Sequence, residues 1–414
     1  MTVTEVRQKQ IVISGDGHAG ADIHDYKPYL ERRYHEEFDA WSGTYKNPFS
    51  DLVRAGRDRN WDTAVRQRDL EADGVVAEVL FPNTVPPFFS SGSSLIMLPP
   101  TAEEYEHKWA GLKAHNRWMV DFCSEVPGRR AGIAQILLND VDDAVAEIRW
   151  AKNAGLTGGI LLPGVPPGFT SDIAPVYAEK YEPIWRTCAE LEMPLNNHGG
   201  SGAAPFGAEP AARAVALVEI PFYSHRSMWH LMFAGVFERY PNLKMVLTEQ
   251  GTGWVPGALA TLDEFFLRYH TEGGIESLIV GPGVDGLRRR PSEYFAENCY
   301  VCASNTRFAE MAIRRDVGVD RIMWGADYPH VEGSVPHTME ALRYLYADIP
   351  ADEQRQILAD TAIDCYGFDR ELLQTAANQI GPSLDELSVH LDASQIPADS
   401  TCNTFDTRAI VKAW

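Results

Sequence analysis

Short apolar stretches alternate along most of the chain with longer stretches that have helical periodicity. In the longer stretches, of which 101–126 and 140–155 are the clearest, apolar residues recur at spacings of three and four, as in amphipathic helices. The apolar stretches are short and bounded by turn-forming residues, which is typical of buried strands. They lie at 10–18, 75–83, 131–138, 158–164, 193–200, 243–251, 298–304 and 321–330. The pattern therefore predicts eight strands separated by helices.

Eight strands interleaved with helices indicate parallel pairing, because parallel neighbours need a crossover connection. We predict an α/β fold, a (β/α)₈ TIM barrel formed by residues 1–370, with inserted loops at about 26–60, 84–100 and 271–291. Residues 371–414 form a polar C-terminal extension. The alternative is an open doubly wound sheet, but the first strand is followed by no Gly-x-Gly-x-x-Gly turn, and nearly every strand ends in polar residues.

Composition and charge narrow the class of protein. The 414 residues are 45% hydrophobic and carry a formal net charge of -21, which disfavours binding to nucleic acid or to an anionic membrane surface. Neither a signal peptide nor an apolar run long enough to span a bilayer is recognisable. Six scattered cysteines do not suggest a disulfide framework. We expect a cytoplasmic protein that acts on a small molecule and assembles as a homo-oligomer or with a related subunit.

Polar side chains with metal-ligand chemistry follow several of the predicted strands. In a barrel of this type the catalytic groups come from the carboxyl ends of the strands. Asp16 and His18 are two residues apart, so they face the same side of the first strand and can both reach one ion. The other residues at strand ends are Asn83, His198, Glu249 and Asp327. Imidazole and carboxylate together predict a divalent zinc, manganese or iron ion.

Six segments in order carry a resemblance to a known family: SGDGH at 14–18, LEADGVVAEVLFPN at 70–83, NNHGG at 196–200, AGVFERYPNLKMVLTEQGTGWVP at 234–256, WGADYPH at 324–330 and ILADTAIDCYGFD at 357–369. With these the chain resembles the amidohydrolase superfamily, specifically the branch of aminocarboxymuconate-semialdehyde decarboxylase and the resorcylate-type decarboxylases. The resemblance implies a (β/α)₈ barrel. It also implies that the metal ligands are Asp16, His18, His198 and Asp327, and that Asp327 can move a proton as well.

One departure from the family pattern concerns the sixth strand. There the decarboxylases place a histidine before a Gly-rich turn, whereas this chain has Glu249. A glutamate beside a divalent ion stays ionised and ligates, unless burial or a neighbouring negative charge raises its pKa enough for it to donate a proton. Glu249 is therefore predicted either as an acid/base group or as a ligand of a second ion.

The segment before the sixth strand contains a possible replacement for the missing imidazole. Ser224 can cap a helix that begins at His225, which would place His225 near the barrel mouth as a catalytic residue or as a ligand of a second ion. Arg226 can bind a substrate carboxylate through two hydrogen bonds. Asn83 and Trp254 are predicted to contact the substrate. His330 is predicted to orient Asp327 or to receive a proton.

Three functions are compatible with these residues. The first is a metal-dependent hydrolase or decarboxylase acting on a small organic substrate that contains a carboxylate or carbonyl group. The second is an oxygen-dependent monooxygenase with two iron ions, or iron and manganese, in which Glu249 and His225 complete the second site. The third is an inactive barrel that stabilises an active partner subunit. The nature and number of the metal ions separate the first two.

Overall fold

The computed structural model describes residues 9–47, 56–90, 101–168 and 173–405. All eight predicted strands are present in this part of the chain, and the third is divided in two at Ile133. The strands are β1 (Ile13–Ala19), β2 (Ala77–Pro82), β3 (Arg130–Gly132), β4 (Ala134–Gln135), β5 (Ile160–Leu161), β6 (Leu195–His198), β7 (Met245–Thr248), β8 (Cys299–Ser304) and β9 (Ile322–Gly325).

Consecutive strands pair in parallel, in the order β1-β2-β3 and β4-β5-β6-β7-β8-β9. Backbone hydrogen bonds cross the division of the third strand on both sides, from Ile133 N to Leu80 O at 3.1 Å and from Ala134 N to Gly159 O at 2.9 Å. The last strand meets the first where His18 N donates to Tyr328 O at 2.7 Å. The predicted (β/α)₈ barrel is confirmed, and its first and last strands carry predicted ligands side by side.

Helices surround the strands. The α-helices are α1 (His35–Thr44), α2 (Thr63–Ala72), α3 (Ala102–Ser124), α4 (Val141–Asn153), α5 (Glu182–Glu190), α6 (Ala212–Phe233), α7 (Val236–Arg239), α8 (Val255–Tyr269), α9 (Ile275–Val280), α10 (Pro291–Asn298), α11 (Phe308–Ala312), α12 (Arg314–Val317), α13 (Thr338–Tyr346), α14 (Ala351–Arg355), α15 (Thr361–Tyr366), α16 (Arg370–Ile380) and α17 (Leu384–Leu387). Sequence signals set some of their ends: Asp140 accepts a hydrogen bond from Asp143 N at 3.0 Å and so caps α4.

Alternate residues of the strands face opposite sides. One buried cluster joins residues from strands all around the barrel, which places it in the barrel interior: Ile13, Val79, Phe81, Ala131, Ile133, Leu161, Val246 and Met323. The intervening residues, of which Ala134, Ile160 and Leu247 are examples, cluster instead with the helices. Side chains two residues apart along a strand therefore share a face. In β1 a register shift between Ser14 and Gly17 brings Asp16 and His18 to the same interior face as Ile13.

The described parts of the insertions pack on the barrel. The ring centre of Phe88 lies 6.3 Å from that of Phe38 in the first insertion, and Phe89 is buried. Residues 48–55 and 91–100, also within predicted insertions, lie outside the described residues. The boundary predicted at residue 370 coincides with the start of α16, but the division into barrel and extension stays a prediction, as does the oligomer.

The described part of the C-terminal extension contacts the barrel near both of its ends. Near the amino ends of the strands, Gln10 N donates to Pro382 O at 2.7 Å. Near the carboxyl ends, Asn403 N donates to Glu332 O at 3.2 Å. No described helix is long and apolar enough to cross a membrane, and all six cysteines are free thiols.

A buried histidine makes the stability of the barrel sensitive to acid. His115 on α3 is fully buried, and its Nδ1 lies 2.8 Å from the Tyr26 hydroxyl. Burial lowers the pKa of His115 to about 3. Because an unfolded histidine has a pKa of about 6.5, the unfolded chain takes up a proton that the folded protein excludes. The stability that neutral His115 contributes is therefore present above about pH 6.5, the unfolded pKa, and is lost as the pH falls toward the folded pKa of about 3.

We predict that the free energy of unfolding of the wild type falls by about 2.5 kcal/mol more between pH 7 and pH 4.5 than that of His115→Asn, because about 1.4 kcal/mol per pH unit is lost below about pH 6.5. Urea unfolding at both pH values measures the difference. The comparison cancels the other titrating groups, since both proteins contain them. Equal pH dependence in the two proteins would contradict the assignment.

Candidate metal centre

The four predicted ligands converge at the carboxyl ends of the strands. Asp16 and His18 face inward from β1, His198 ends β6, and Asp327 follows β9. Asp16 Oδ1 lies 3.2 Å from His18 Nε2 and 3.7 Å from His198 Nε2, and His18 Nε2 lies 3.3 Å from Asp327 Oδ1. All four side chains are at least 97% buried. The structure thus brings residues from three distant parts of the chain into one cluster.

Three atoms of this cluster have no hydrogen-bond partner among the described residues. They are Asp16 Oδ1, His18 Nε2 and His198 Nε2, all buried and within 4.8 Å of one another. A buried polar atom without a partner is destabilising, so a convergent set of them calls for an explanation. Two imidazole nitrogens and a carboxylate oxygen are a donor set for a divalent transition metal. These residues fit such a cation.

Neighbouring groups orient the ligands. His198 Nδ1 donates to Gly199 O at 3.0 Å, which leaves the lone pair of Nε2 facing the cluster. Ser304 Oγ donates to Asp16 Oδ2, so that Oδ1 alone is directed to the centre. Asn305 Nδ2 donates to Asp327 Oδ2 at 3.0 Å. The sequence analysis missed Ser304 and Asn305, although Ser304 ends the seventh predicted strand and Asn305 follows it, where catalytic groups of a barrel are expected.

A buried ion pair supports the strand that carries Asp16 and His18. Arg66 on α2 is fully buried, and its Nε and Nη2 donate to the two Glu78 carboxylate oxygens at 2.7 and 2.6 Å. Its Nη1 donates to His18 O at 2.8 Å. A buried pair of this geometry fixes orientation rather than adding stability. Nothing in the sequence distinguished Arg66 from the exposed charges of an amphipathic helix.

The cluster shifts the pKa values of its members. For Asp16, burial acts to raise the pKa, but His18 and His198 outweigh it and hold that pKa well below its usual range. For His198, burial opposes the charged ring, yet Glu249 and Asp16 raise its pKa to about 9. Burial raises the pKa of Glu249 to about 8, assisted by Asp327 and Asp16 and opposed by His198. Opposite shifts among adjacent groups are typical of functional sites.

Glu249, which replaces the histidine expected from the resemblance, lies beside the cluster. Its Oε2 is 3.3 Å from His198 Nε2, and 29% of its side chain is exposed. Among the described carboxylates that contact a ligand histidine, Asp16 and Asp327 are fully buried, whereas Glu249 is partly exposed to a molecule that enters the barrel mouth. The turn after it is fixed by Glu310, whose carboxylate accepts from Thr252 N at 2.5 Å and Gly253 N at 3.0 Å.

Three site residues have left-handed backbone conformations. The φ angles are 56° at Glu249, 55° at Asn305 and 57° at Asp327, each directly after or close to the end of a strand. Residues other than glycine rarely adopt such angles, and those that do cluster at functional sites. The sharp change of direction lets each side chain point back over the end of its own strand.

A group of three acidic side chains adjoins the cluster of predicted ligands and shares Asp327 with it. Carboxylate oxygens of Glu249, Asp327 and Glu332 lie within 4.8 Å of one another. Glu332, in the loop after β9, was missed by the sequence analysis because it stands two residues beyond the DYPH motif. The predicted second site relied on His225 instead, and His225 belongs to none of the described side-chain groups that could hold an ion.

The prediction that a helix begins at His225 with Ser224 as its cap is wrong. Helix α6 begins at Ala212, so both residues lie inside it. Its first half contains Pro221, a residue that normally ends or interrupts a helix, and this concealed the earlier helix start. The His225 ring stacks on Trp254 with the ring centres 3.6 Å apart, and burial lowers its pKa to about 4. His225 thus packs against the wall of the site rather than among the ligands.

Of the other two predicted substrate contacts, Trp254 lies beside the site and Arg226 makes no described contact with the cluster. Trp254 Nε1 donates to Gly251 O at 3.1 Å, so the indole is fixed beside the turn that follows Glu249. The Arg226 guanidinium lies 5.8 Å from the Tyr223 ring centre, and no hydrogen bond or ion pair among the described residues joins it to the cluster. Binding of substrate by Trp254 and Arg226 stays a prediction.

A chain of hydrogen bonds fixes His330, and Asn83 belongs to it. The Arg57 carbonyl can only accept, so Asn60 Nδ2 donates to it at 2.9 Å and Asn60 Oδ1 accepts from Asn83 Nδ2 at 2.6 Å. Asn83 Oδ1 therefore faces His330 Nε2 at 3.2 Å, while His330 Nδ1 lies 2.8 Å from Asp327 Oδ1. Both ring nitrogens face acceptors, and both must donate.

His330 accordingly carries a positive charge beside Asp327. Burial acts to lower its pKa, but Asp327 outweighs burial and raises that pKa to about 10. The same contact, acting against burial, lowers the pKa of the Asp327 carboxyl. His330 thus contacts Asp327 through Nδ1, as the predicted orienting role requires, and its role in the reaction stays a prediction. Asn60, inside the first insertion, gave no sequence signal.

Comparison with known proteins places the chain among enzymes of one family. Residues 82–368 match the profile of the family described as amidohydrolase. A gamma-resorcylate decarboxylase from Polaromonas sp. is 25% identical over 225 residues, which is 52% of this chain and 64% of that enzyme. The chain thus aligns with less than two thirds of the length of this curated relative.

Two solved structures have a similar fold. The 5-carboxyvanillate decarboxylase of Novosphingobium aromaticivorans, with bound manganese, has a TM-score of 0.64 at 20% identity, covering 88% of this chain and 98% of that one. A dihydroxybenzoic acid decarboxylase from Polaromonas sp., with manganese and the inhibitor 2-nitroresorcinol, has a TM-score of 0.60 at 18% identity, covering 88% and 99%. At these identities the likeness concerns the fold.

Proposed function

Because the chain belongs to the amidohydrolase family, we propose that it is a metal-dependent decarboxylase whose substrate is a hydroxylated aromatic carboxylic acid. The names of the similar enzymes support the substrate class. Asp16, His18, His198 and Asp327 would hold one divalent cation, and manganese is favoured because the similar structures contain it. When bound, that cation supplies positive charge that anchors the substrate carboxylate and the oxygen beside it.

The observation that carries the proposal is the state of Asp327. In hydrolysis this residue would have to take a proton from water, yet each of its oxygens already faces a hydrogen-bond donor, Oδ1 the cationic His330 ring and Oδ2 the Asn305 amide. A carboxylate beside a cationic ring, with a lowered pKa, is a weak base. The geometry therefore favours a reaction in which the site gives a proton rather than takes one.

Decarboxylation is such a reaction. The bond between the ring carbon and the carboxylate breaks, carbon dioxide leaves, and the electron pair stays on the ring carbon until a proton arrives. We assign the donation of this proton to Glu249, which is accessible from the mouth and adjoins the ligand His198. His330 and Asn305 hold Asp327 in place, and Trp254 with His225 forms one wall.

The proposal is tested with manganese-loaded protein and two acids, gamma-resorcylate and 5-carboxyvanillate. We expect release of carbon dioxide from at least one of them, no uptake of oxygen, and about one metal ion per chain by elemental mass spectrometry. If neither acid loses carbon dioxide and esters or amides of the same acids are cleaved, the decarboxylase proposal is wrong.

The second candidate is the oxygen-dependent monooxygenase with two ions. The acidic group of Glu249, Asp327 and Glu332 is the observation that favours it, since a second cation can bind there. Two ions per chain, including iron, together with oxygen uptake coupled to product formation, would replace the decarboxylase by this candidate.

For the hydrogen-bond chain behind the ligands, we predict that Asn83→Leu lowers kcat about 10-fold with unchanged metal content, because partners behind metal ligands tune activity on this scale. In a protein that already contains His330→Ala, the same substitution is expected to have no further effect, since Asn83 acts through His330. Steady-state kinetics of the four proteins provides the test.

Asn298→Leu is the matched control for Asn83→Leu. This asparagine is equally a hydrogen-bonded amide, with Nδ2 donating to Pro241 O and Leu243 O at 2.9 Å, but it ends α10 directly before β8, at the opposite end of the barrel. It is expected to lose stability without a specific loss of kcat. Additive effects of Asn83→Leu and His330→Ala would contradict the assigned role.

A further inference from the structure

Gln135 in β4 has a buried side-chain amide that forms no hydrogen bond with the described residues. The residue is fully buried, and neither Nε2 nor Oε1 has a hydrogen-bond partner among the described residues. An amide contains two donors and an acceptor, so leaving both atoms unpaired is strongly unfavourable. The metal-ligand atoms of the same barrel are unpaired for a functional reason, which prompts the same question about Gln135.

The side chain of Gln135 faces the barrel interior. Ile133 and Ala131, which are two and four residues before Gln135, belong to the interior cluster. Ala134 and Ile136 on either side of Gln135 belong to the cluster formed with the helices. Since side chains alternate along a strand, the Gln135 amide points toward the axis of the barrel.

Strand register places this amide near the level of the ligands. On one side Leu80 pairs with Gly132, so Phe81, whose ring centre lies 4.8 Å from that of His198, neighbours Ile133, and Gln135 is two residues beyond Ile133. On the other side Gln135 pairs with Leu161, and Leu161 pairs with Asn196, which is two residues before His198. Because the strands of a barrel are tilted and staggered, Gln135 lies between these limits, and its amide faces the part of the interior beside the ligands.

The main chain of Gln135 is held rigidly. Asn116 on α3 receives a hydrogen bond from Gln135 N and donates one to Gln135 O, both at 2.9 Å. Asn116 also donates to Glu147 at 2.9 Å. A side chain that is unpaired but mounted on a fixed backbone is preorganised for an external partner.

We propose that the Gln135 amide recognises a ring hydroxyl of the substrate other than the oxygen beside the carboxylate. This inference rests on the proposed function and specifies its substrate class: an aromatic acid with a second hydroxyl. A hydroxyl can accept from Nε2 and donate to Oε1 at once, whereas a carboxylate can only accept and would leave Oε1 unpaired. A substrate without this hydroxyl leaves the buried amide unpaired and is rejected.

The kinetic test compares gamma-resorcylate with salicylate, which lacks one of its hydroxyls, for the wild type and Gln135→Met. Methionine has nearly the same length and makes no hydrogen bond through its end. We expect the wild type to prefer gamma-resorcylate by about 100-fold or more in kcat/KM. Gln135→Met should lose about 100-fold with gamma-resorcylate and keep the wild-type value with salicylate. Equal losses with both acids, or no loss, would overturn the proposal.

A stability measurement tests Gln135 independently of any turnover. Gln354 is the matched control, because it is also a buried glutamine, yet its Nε2 donates to Tyr346 O at 3.0 Å and Ile349 O at 2.8 Å. We expect Gln354→Met to lower the Tm and Gln135→Met to leave it unchanged or raise it. A Tm loss in Gln135→Met as large as that in Gln354→Met means that the amide has a structural partner, and the proposal fails.

Ligand binding separates failure of this inference from failure of the proposed function. If the wild type decarboxylates neither acid, the proposed function is wrong, but calorimetry with resorcinol and phenol still tests Gln135. Tighter binding of resorcinol to the wild type and loss of that preference in Gln135→Met support the amide as a hydroxyl-binding group. The same preference in both proteins overturns it.

Discussion

His198→Ala is expected to leave the protein without its cation and without measurable turnover, while the barrel stays folded. His198 Nε2 is one of the three buried unpaired atoms of the cluster, and alanine offers no replacement ligand. Because the remaining ligands bind a divalent ion far more weakly, metal content should fall from about one ion per chain to less than about 0.1, and kcat/KM at least about 1,000-fold. Elemental mass spectrometry, steady-state kinetics and circular dichroism measure the three quantities. Asp327→Ala is expected to behave in the same way.

The matched control is His230→Ala, on the same barrel but outside the cluster, where the ring lies 5.1 Å from that of Tyr177. It should retain metal and activity. A chelator should lower the Tm of the wild type and of this control, since a ligand that binds only the folded state stabilises it, and should leave the Tm of His198→Ala unchanged. Full metal content in either ligand variant would refute the ligand set.

Glu249→Gln is expected to lower kcat about 1,000-fold, within the range of about 100- to 10,000-fold for loss of a general acid. Glutamine preserves the shape of the side chain but has no acidic proton to give to the ring carbon. KM should change little, because the ligands that anchor the carboxylate remain. The measurements are steady-state kinetics and metal content of the purified variant, which should stay at one ion per chain. A fall from two ions to one would make Glu249 a ligand and favour the monooxygenase.

Two further variants sharpen this result. Glu332→Gln removes a neighbouring carboxylate of the same acidic group and is expected to leave kcat within about 10-fold of wild type, since Glu332 is assigned no proton transfer. Glu249→His supplies the imidazole that the resemblance predicts at this place, and should recover activity relative to Glu249→Gln. Equal activity of Glu249→Gln and wild type would remove Glu249 from the mechanism.

The sequence alone predicted the barrel and the main cluster because both depend on regular features. Strand length and alternation with helices determine the parallel barrel, and the barrel brings all carboxyl ends of strands to one rim. Asp16, His18, His198 and Asp327 could therefore be grouped although up to about 310 residues separate them. Among the strands, the division of the third at Ile133 was not predicted, because the apolar run through it is continuous.

The residues that sequence reasoning missed lack any periodic signal. The α6 start was misplaced because Pro221 lies inside this helix, and a proline normally ends or interrupts a helix. Arg66 reads as a surface charge until Glu78 is seen opposite it. Asn60 and Glu332 act from loops, whose course local spacing does not determine. Gln135 is a single polar residue in an apolar strand, a pattern that usually marks an exposed position rather than an interior one.

The left-handed backbone at Glu249, Asn305 and Asp327 restricts how this site can evolve. At such angles branched side chains such as valine, isoleucine and threonine are strongly disfavoured, whereas asparagine, aspartate and histidine are tolerated. The tolerated residues are also the ones that ligate metals and carry protons. Substitutions that are tolerated at these three positions therefore mostly replace one ligating or proton-carrying side chain by another. Proteins descended from this barrel can thus change the reaction by single substitutions without a change in the backbone at the rim.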